Sequence, residues 1–191
     1  MIFALIRYIP RAVIEVVAVI LIWLVLAPLI AACVRREGDR FYTWRIFQWA
    51  VTHDTDLAAW WRGSYGKDGW LKTRFTQADY DRSRILRWVT RVMWIYRNPA
   101  YRLSHWLGYD QRGVDTTRGL YKDPRWDSGK PNKAFWRVKN KKGQTGFLAQ
   151  GQLYYYKNWC IEYQFGWKLY RRDPDKRCML AFRISPFKRY P

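Results

Sequence analysis

From Ala12 to Val34 the chain is apolar apart from Glu15, and about 20 apolar residues suffice to cross the hydrocarbon core of a bilayer as a helix. No other feature limits the fold so strongly, because a backbone in lipid must satisfy its own hydrogen bonds, which a single segment does only as a helix. Trp23 lies deep in the run and Pro28 is placed to kink its last third. Arg7, Arg11, Arg35 and Arg36 bracket it with side chains that can snorkel to headgroups, and Glu15 is near enough to one end to reach the interface. Two basic residues, Arg7 and Arg11, precede the run, whereas Arg35, Arg36, Arg40 and Arg45 follow it. That bias predicts a single pass with the C-terminal domain in the cytoplasm. An alternative stays open: Ile30-Ala31-Ala32-Cys33 matches the small-residue pattern before a lipid-modified cysteine, which would place the domain outside the membrane.

A chain of 191 residues has room for such a segment and one compact domain. The 35 Lys and Arg against 15 Asp and Glu leave a formal charge of +20, which draws the domain toward phosphate, either lipid headgroups or nucleic acid. Disordered chains of high charge are poor in aromatics. This one carries 13 Trp, 14 Tyr and 9 Phe, so it folds, and the abundance of amphipathic rings points to an interface. Cys33, Cys160 and Cys178 have no metal-like spacing and are expected as reduced thiols, although a Cys160 to Cys178 bridge is conceivable if their strands pair.

After the span, Asp39 is placed to cap a helix through about Val51, with Phe41, Trp44, Phe47 and Val51 at helical spacing. His53-Asp54-Thr55-Asp56 is expected as a solvated turn, and Trp60 to Phe75 as loop. Thr76-Gln77-Ala78-Asp79 opens a helix to Tyr96, stopped by Asn98-Pro99. On it Ile85, Leu86, Val89, Val92, Met93 and Tyr96 share one arc, and Arg84, Arg87 and Arg91 form the opposite stripe with Trp88 and Trp94 at its edges. With Arg35 and Arg36, these are the candidate anionic-surface residues. A short helix begins near Tyr101 and ends at Gly108.

In the last third the period changes to two. From Trp159 to Tyr170, Trp159, Ile161, Tyr163, Phe165, Trp167 and Leu169 point one way, expected as the core face, while Cys160, Glu162, Gln164, Gly166 and Lys168 point outward. Arg171 to Asp175 turns into a partner strand through Ile184, and Phe135 to Lys139 and Thr145 to Tyr156 supply two more, with a turn at Lys142-Gly143. The expected fold is therefore α+β: an N-terminal transmembrane helix, short amphipathic helices, then a C-terminal antiparallel meander. The corresponding regions are 1–36 as anchor with basic flanks, 37–108 as helical and aromatic-rich, 109–133 as loop or linker, and 134–191 as sheet.

Two short motifs, Trp94-Ile95-Tyr96-Arg97-Asn98-Pro99-Ala100-Tyr101 and Phe165-Gly166-Trp167-Lys168-Leu169, carry a resemblance to a family of small membrane proteins of unknown function encoded by tailed bacteriophages. The order is similar throughout, with an aromatic segment at Trp44 to Gln48 between span and motifs; Trp49 to Gly69 departs from the pattern, which leaves Asp54 and Asp56 without a family role. The resemblance implies a phage protein made in an infected bacterium or carried in its virion, and thus the bacterial inner membrane as its site. It brings no activity, cofactor or metal. Arg97, Asn98, Pro99, Tyr101, Gly166, Trp167 and Lys168 are its motif residues, and helix-stop and sheet-packing roles account for them.

The chain shows no phosphate-cradling glycine loop, nucleophile elbow or zinc spacing, and only His53 and His105 as histidine bases. The expectation is a non-enzymatic membrane protein without cofactor or metal, whose partners are the bilayer and a virion or host membrane protein. The alternative is a nucleic-acid-binding or virion structural or ejection component using the same basic surface.

Overall fold

The computed structural model describes residues 1–37, 40–52, 74–114, 134–169 and 177–189. The expected Asp39 cap, the His53 to Asp56 turn, the Arg171 to Asp175 turn and most of the 109–133 loop lie outside them. The architecture is mixed α and β, with a long N-terminal apolar helix, further helices and a C-terminal antiparallel sheet. It divides into two compact units, residues 1–16 with 104–191 and residues 17–103.

The apolar segment is a 32-residue helix from Ile2 to Cys33, long and apolar enough to cross a membrane. It comprises α1 (Ile2–Leu21), a π-helical turn (Ile22–Leu26) and α2 (Ala27–Cys33). Helix therefore extends ten residues before the apolar run begins, through Pro10, which lies inside α1 and removes one backbone N–H donor there. Pro28 falls in the first turn of α2, where its missing N–H costs little.

In the unit of residues 17–103, the helix expected from Asp39 to Val51 is replaced by a hairpin of β1 (Arg35–Glu37) and β2 (Arg40–Tyr42), then a 3-10 turn at Arg45–Phe47. Phe41 and Val51 are buried, and Trp44 is exposed. The expected helix from Thr76 to Tyr96 breaks in two. Thr76 and Asp79 form the reciprocal capping box of α3 (Gln77–Arg82). Ser83 then leaves helical geometry and caps α4 (Arg84–Arg97), its hydroxyl accepting from the Leu86 N–H at 3.1 Å. The core of this unit gathers Ala18, Ile22, Ala27, Ile30 and Ala31 of the long helix with Val34, Phe41, Ala50, Val51 and Ile95.

The chain passes from one unit to the other within α5 (Tyr101–Trp106), and the other unit then carries β3 (Tyr109–Asp110), β4 (Ala134–Lys139), β5 (Thr145–Tyr156), β6 (Trp159–Trp167), β7 (Arg177–Cys178) and β8 (Leu180–Arg189). Strands β4, β5, β6 and β8 form the antiparallel meander in that order, and β3 pairs with β7. The β4–β5 turn is held by the Asn140 side chain, whose Oδ1 accepts from the N–H groups of Lys142 and Gln144 at 3.0 Å each, with Gly143 at φ 69°. Cys160 and Cys178 are both free and buried.

The expected facing of β6 holds only at its end. Trp167 and Leu169 enter the core and Phe165 packs against it. Ile161 and Tyr163 remain half-buried, whereas Cys160, Glu162 and Gln164, expected outward, are buried. The polar side chains tolerate this because they pair across strands: Gln164 Nε2 donates to Gln150 Oε1 at 2.9 Å, and Glu162 meets Arg183 at 3.2 Å. Alternation alone does not report such pairing.

Candidate functional site

The long helix is two-faced along its length. Ile2, Ile6, Ile9, Val13, Val17, Ile20 and Leu24 recur at three- and four-residue spacing, and each is between 46% and 73% exposed. This is the stripe one side of an α-helix presents. No charged residue lies on it.

The helix's own charges follow a different spacing. Arg7, Arg11 and Glu15 recur every four residues, beside Ala4, Tyr8 and Ala12 at the same interval. In the sheet-bearing unit this side is buried: Ala4, Tyr8 and Ala12 belong to the core with Tyr109, Phe147, Leu148, Trp167 and Leu180. The Tyr8 ring meets Phe147 and Trp167 edge-on at centroid distances of 5.3 and 5.6 Å, and its hydroxyl donates to the Ala181 carbonyl at 2.8 Å. Arg7 donates to the Thr145 carbonyl at 2.6 Å, and the Glu15 carboxylate accepts from the Ser104 hydroxyl. Arg7 and Glu15, expected to reach headgroups, are thus engaged by the protein. The Ala4, Tyr8 and Ala12 row recurring every four, flanked by the segment's only charges, was the available signal for a protein-facing side, and hydropathy along the run masks it.

In the other unit the predicted arginine stripe is partly occupied. Arg84 is exposed. Arg87 is half-buried and donates to the carbonyls of Tyr80 and Asp81. Arg91 donates to the Val34 carbonyl at 2.9 Å, and its guanidinium lies 5.9 Å from the Phe41 ring centre. Arg35 and Arg36 are exposed on β1, Arg36 lying 6.0 Å from the same ring. Trp88 retains 38% exposure while its Nε1 donates to the Pro28 carbonyl at 3.1 Å. Trp94, placed by the sequence at a surface edge, is instead buried, its Nε1 donating to Thr52 Oγ1 at 2.8 Å. Conversely Ile85 and Tyr96, expected on the packed arc, are exposed. The buried side of α4 instead holds Leu86, Thr90, Trp94 and Ile95, with the Thr90 hydroxyl satisfied by donating to the Arg87 carbonyl at 2.8 Å.

The motif residues hold the backbone together locally. Arg97 ends α4, and the Asn98 N–H and side-chain amide both donate to the Trp94 carbonyl, at 2.9 and 3.4 Å. Pro99 follows, Ala100 takes φ 53° while fully buried, and Tyr101 starts α5. Gly166 stands at φ 111°, where a Cβ would overlap the Phe147 carbonyl oxygen. That close approach lets Trp167 sit fully buried against Tyr8, Tyr109 and Phe147. The Lys168 N–H donates to the Met179 carbonyl at 2.9 Å.

Burial pushes the Cys178 thiol and the Tyr109 phenol up to about 12, while hydrogen bonds from Arg112 hold the Asp110 carboxyl down at about 2. Asp110 and Arg112 form a surface ion pair at 2.7 Å. Among the described residues no group of three or more His, Cys, Asp or Glu side chains is placed to hold a metal ion.

A family model described as a family of unknown function (DUF7338) matches residues 1–191. No curated protein and no solved structure matches the chain.

Proposed function

Since the chain belongs to that family, to which no role is assigned, we propose from its own physical features that it is a membrane-anchored, non-enzymatic protein holding a basic, aromatic-rich domain at a bilayer surface. The observation that carries this is the Ile2 to Leu24 stripe: seven aliphatic side chains exposed in a regular row, with every charge of the helix on another side. A soluble monomer rarely exposes a continuous apolar surface of that extent. The formal charge of +20 supports the same partner, because each Lys or Arg close to an anionic leaflet adds about 1 kcal/mol of attraction. The two short motifs support a phage protein of the bacterial inner membrane, which binds a membrane or virion component during infection.

Expression of the full chain in bacteria, followed by high-salt washing of the membranes and detergent-phase partitioning, tests the anchor. The expected result is retention with the membrane through the salt wash and transfer to the detergent phase. Recovery in the salt supernatant would leave only electrostatic adhesion and refute the anchor. Mass spectrometry of purified virions separates a structural or ejected component from one that acts only in the host.

A second reading, nucleic-acid binding, is favoured by one observation. Tyr163, Phe165 and Phe182 form a continuous aromatic row across β6 and β8, with centroid spacings of 5.9 and 5.6 Å, and Phe182 is 42% exposed. Rings in such a row can stack on bases. Binding of the detergent-solubilised chain to a single-stranded oligonucleotide, falling steeply with salt and lost on substitution of Phe182, would establish it.

A further inference from the structure

We infer that the long helix does not cross the bilayer but lies in one leaflet, with the Ile2 to Leu24 stripe and the exposed apolar side chains beside it against acyl chains and its buried residues held by the protein. This rests on the proposed membrane anchor and specifies its topology. Each half of the helix supplies its own reason.

In the sheet-bearing unit, Ala4, Tyr8 and Ala12 are core residues, in one cluster with Phe147, Leu148, Trp167, Leu180 and Ala181. Glu15 and Arg7 are hydrogen-bonded to Ser104 and Thr145. A helix surrounded by lipid would have to leave that core, exposing its aromatic floor and stranding Arg7 and Glu15 without these partners. In the unit of residues 17–103, Ile22, Ala27, Ile30 and Ala31 share a core with Ile95 of α4 and with Phe41 and Val51. Trp88 and Arg91 of α4 donate to the carbonyls of Pro28 and Val34. A transbilayer placement of this half would either strip α4 from it or carry Arg84, Arg87, Arg91 and Arg97 into the hydrocarbon, where arginine is strongly disfavoured.

Lying in the interface requires neither. Both halves keep their packed side, and the exposed residues of both are apolar. The helix then behaves as an interfacial anchor, whose apolar side enters the headgroup and acyl boundary while the basic remainder meets anionic headgroups. Length agrees: at about 1.5 Å per residue a 32-residue helix runs about 48 Å, well beyond the roughly 30 Å of a hydrocarbon core. The occupant of the stripe is lipid rather than a second copy of the chain, because only a bilayer offers acyl chains beside anionic groups for a chain of this charge.

The test is the sidedness of the two termini. The full chain carries one epitope at its N-terminus and another at its C-terminus, and protease is added to right-side-out spheroplasts and to inverted inner-membrane vesicles. The expected result is that inverted vesicles lose both epitopes and spheroplasts lose neither. Loss of one epitope from each preparation would show a crossing helix and overturn the inference, while leaving the membrane anchor intact. Release of the chain by high salt before protease is added would instead refute the anchor itself. A bimane label at Val13→Cys or Ile20→Cys gives an independent readout. Quenching by lipids with nitroxides near the headgroup, and none by lipids labelled at the chain end, is expected. Quenching by neither set, with disulfide-linked dimers of Val17→Cys, would assign the stripe to a second copy and overturn the inference.

Discussion

Replacing Tyr8 with alanine separates a helix docked on its sheet from one standing free in lipid. Tyr8 is 6% exposed, packs edge-on against Phe147 and Trp167, and donates its hydroxyl to the Ala181 carbonyl. Truncating a core aromatic to alanine costs about 3–5 kcal/mol through lost burial and the cavity left behind. Tyr8→Phe keeps the ring but leaves the Ala181 carbonyl without this donor, a loss of about 1–3 kcal/mol. Ile9→Ala, one residue on and 55% exposed, serves as the control, with an expected change of about 0.5 kcal/mol or less. Equilibrium unfolding in detergent micelles, followed by tryptophan fluorescence, reads all three, since the Trp167 ring lies 5.6 Å from that of Tyr8. The Tyr8→Ala loss is a fifth or more of the roughly 5–15 kcal/mol that a domain commonly has, so the midpoint shift is large. If Tyr8→Ala matched the Ile9→Ala control, the N-terminal half of the helix would not be a core element of the sheet-bearing unit.

Gly166→Ala is expected to destabilise by at least about 1–3 kcal/mol, because a non-glycine residue is strained at φ 111° and its Cβ overlaps the Phe147 carbonyl; Gly143→Ala, at φ 69° with nothing nearby, should cost only about 1 kcal/mol in the same thermal melt. Cys178 and Tyr109 ionise near 9.0 and 10.0 when exposed and near 12 when folded. Their raised values favour the folded state fully below pH 9, and that contribution disappears as pH rises from 9 toward 12, so the unfolding midpoint should fall over this window; Cys178→Ala should weaken the fall. Asp110, held at about 2 first by the side-chain hydrogen bond from Arg112, should titrate nearer its ordinary 3.8 in Arg112→Ala by carboxyl NMR, with little change in stability because the pair is at the surface.

Which elements were legible follows from where their determinants lie. The long helix, the Thr76–Asp79 capping box and the bounds of β5 depend on neighbours within a few residues, through hydropathy, side-chain capping and β-alternation, and the sequence predicts each. Facing is decided at longer range. Trp94 is buried because Thr52 accepts its indole N–H from 42 residues away, and Glu162 is buried because β8 brings Arg183 beside it. Composition marked the arginines of α4 as surface charge, yet Arg91 is committed to Val34 and Phe41.

The sequence by itself determined an apolar N-terminal helix, a strongly basic and aromatic remainder, and a strand-rich last third, because hydropathy, charge and local periodicity are properties of the chain. Only tertiary structure decided which side of that helix packs on the protein and which stays exposed. That choice depends on Ser104, Thr145 and Ala181, more than 80 residues from their partners on the helix, supplying groups that Glu15, Arg7 and Tyr8 need. Burial of those polar atoms is tolerable only when hydrogen-bonded, so the helix faces its polar row inward and leaves the aliphatic row outward.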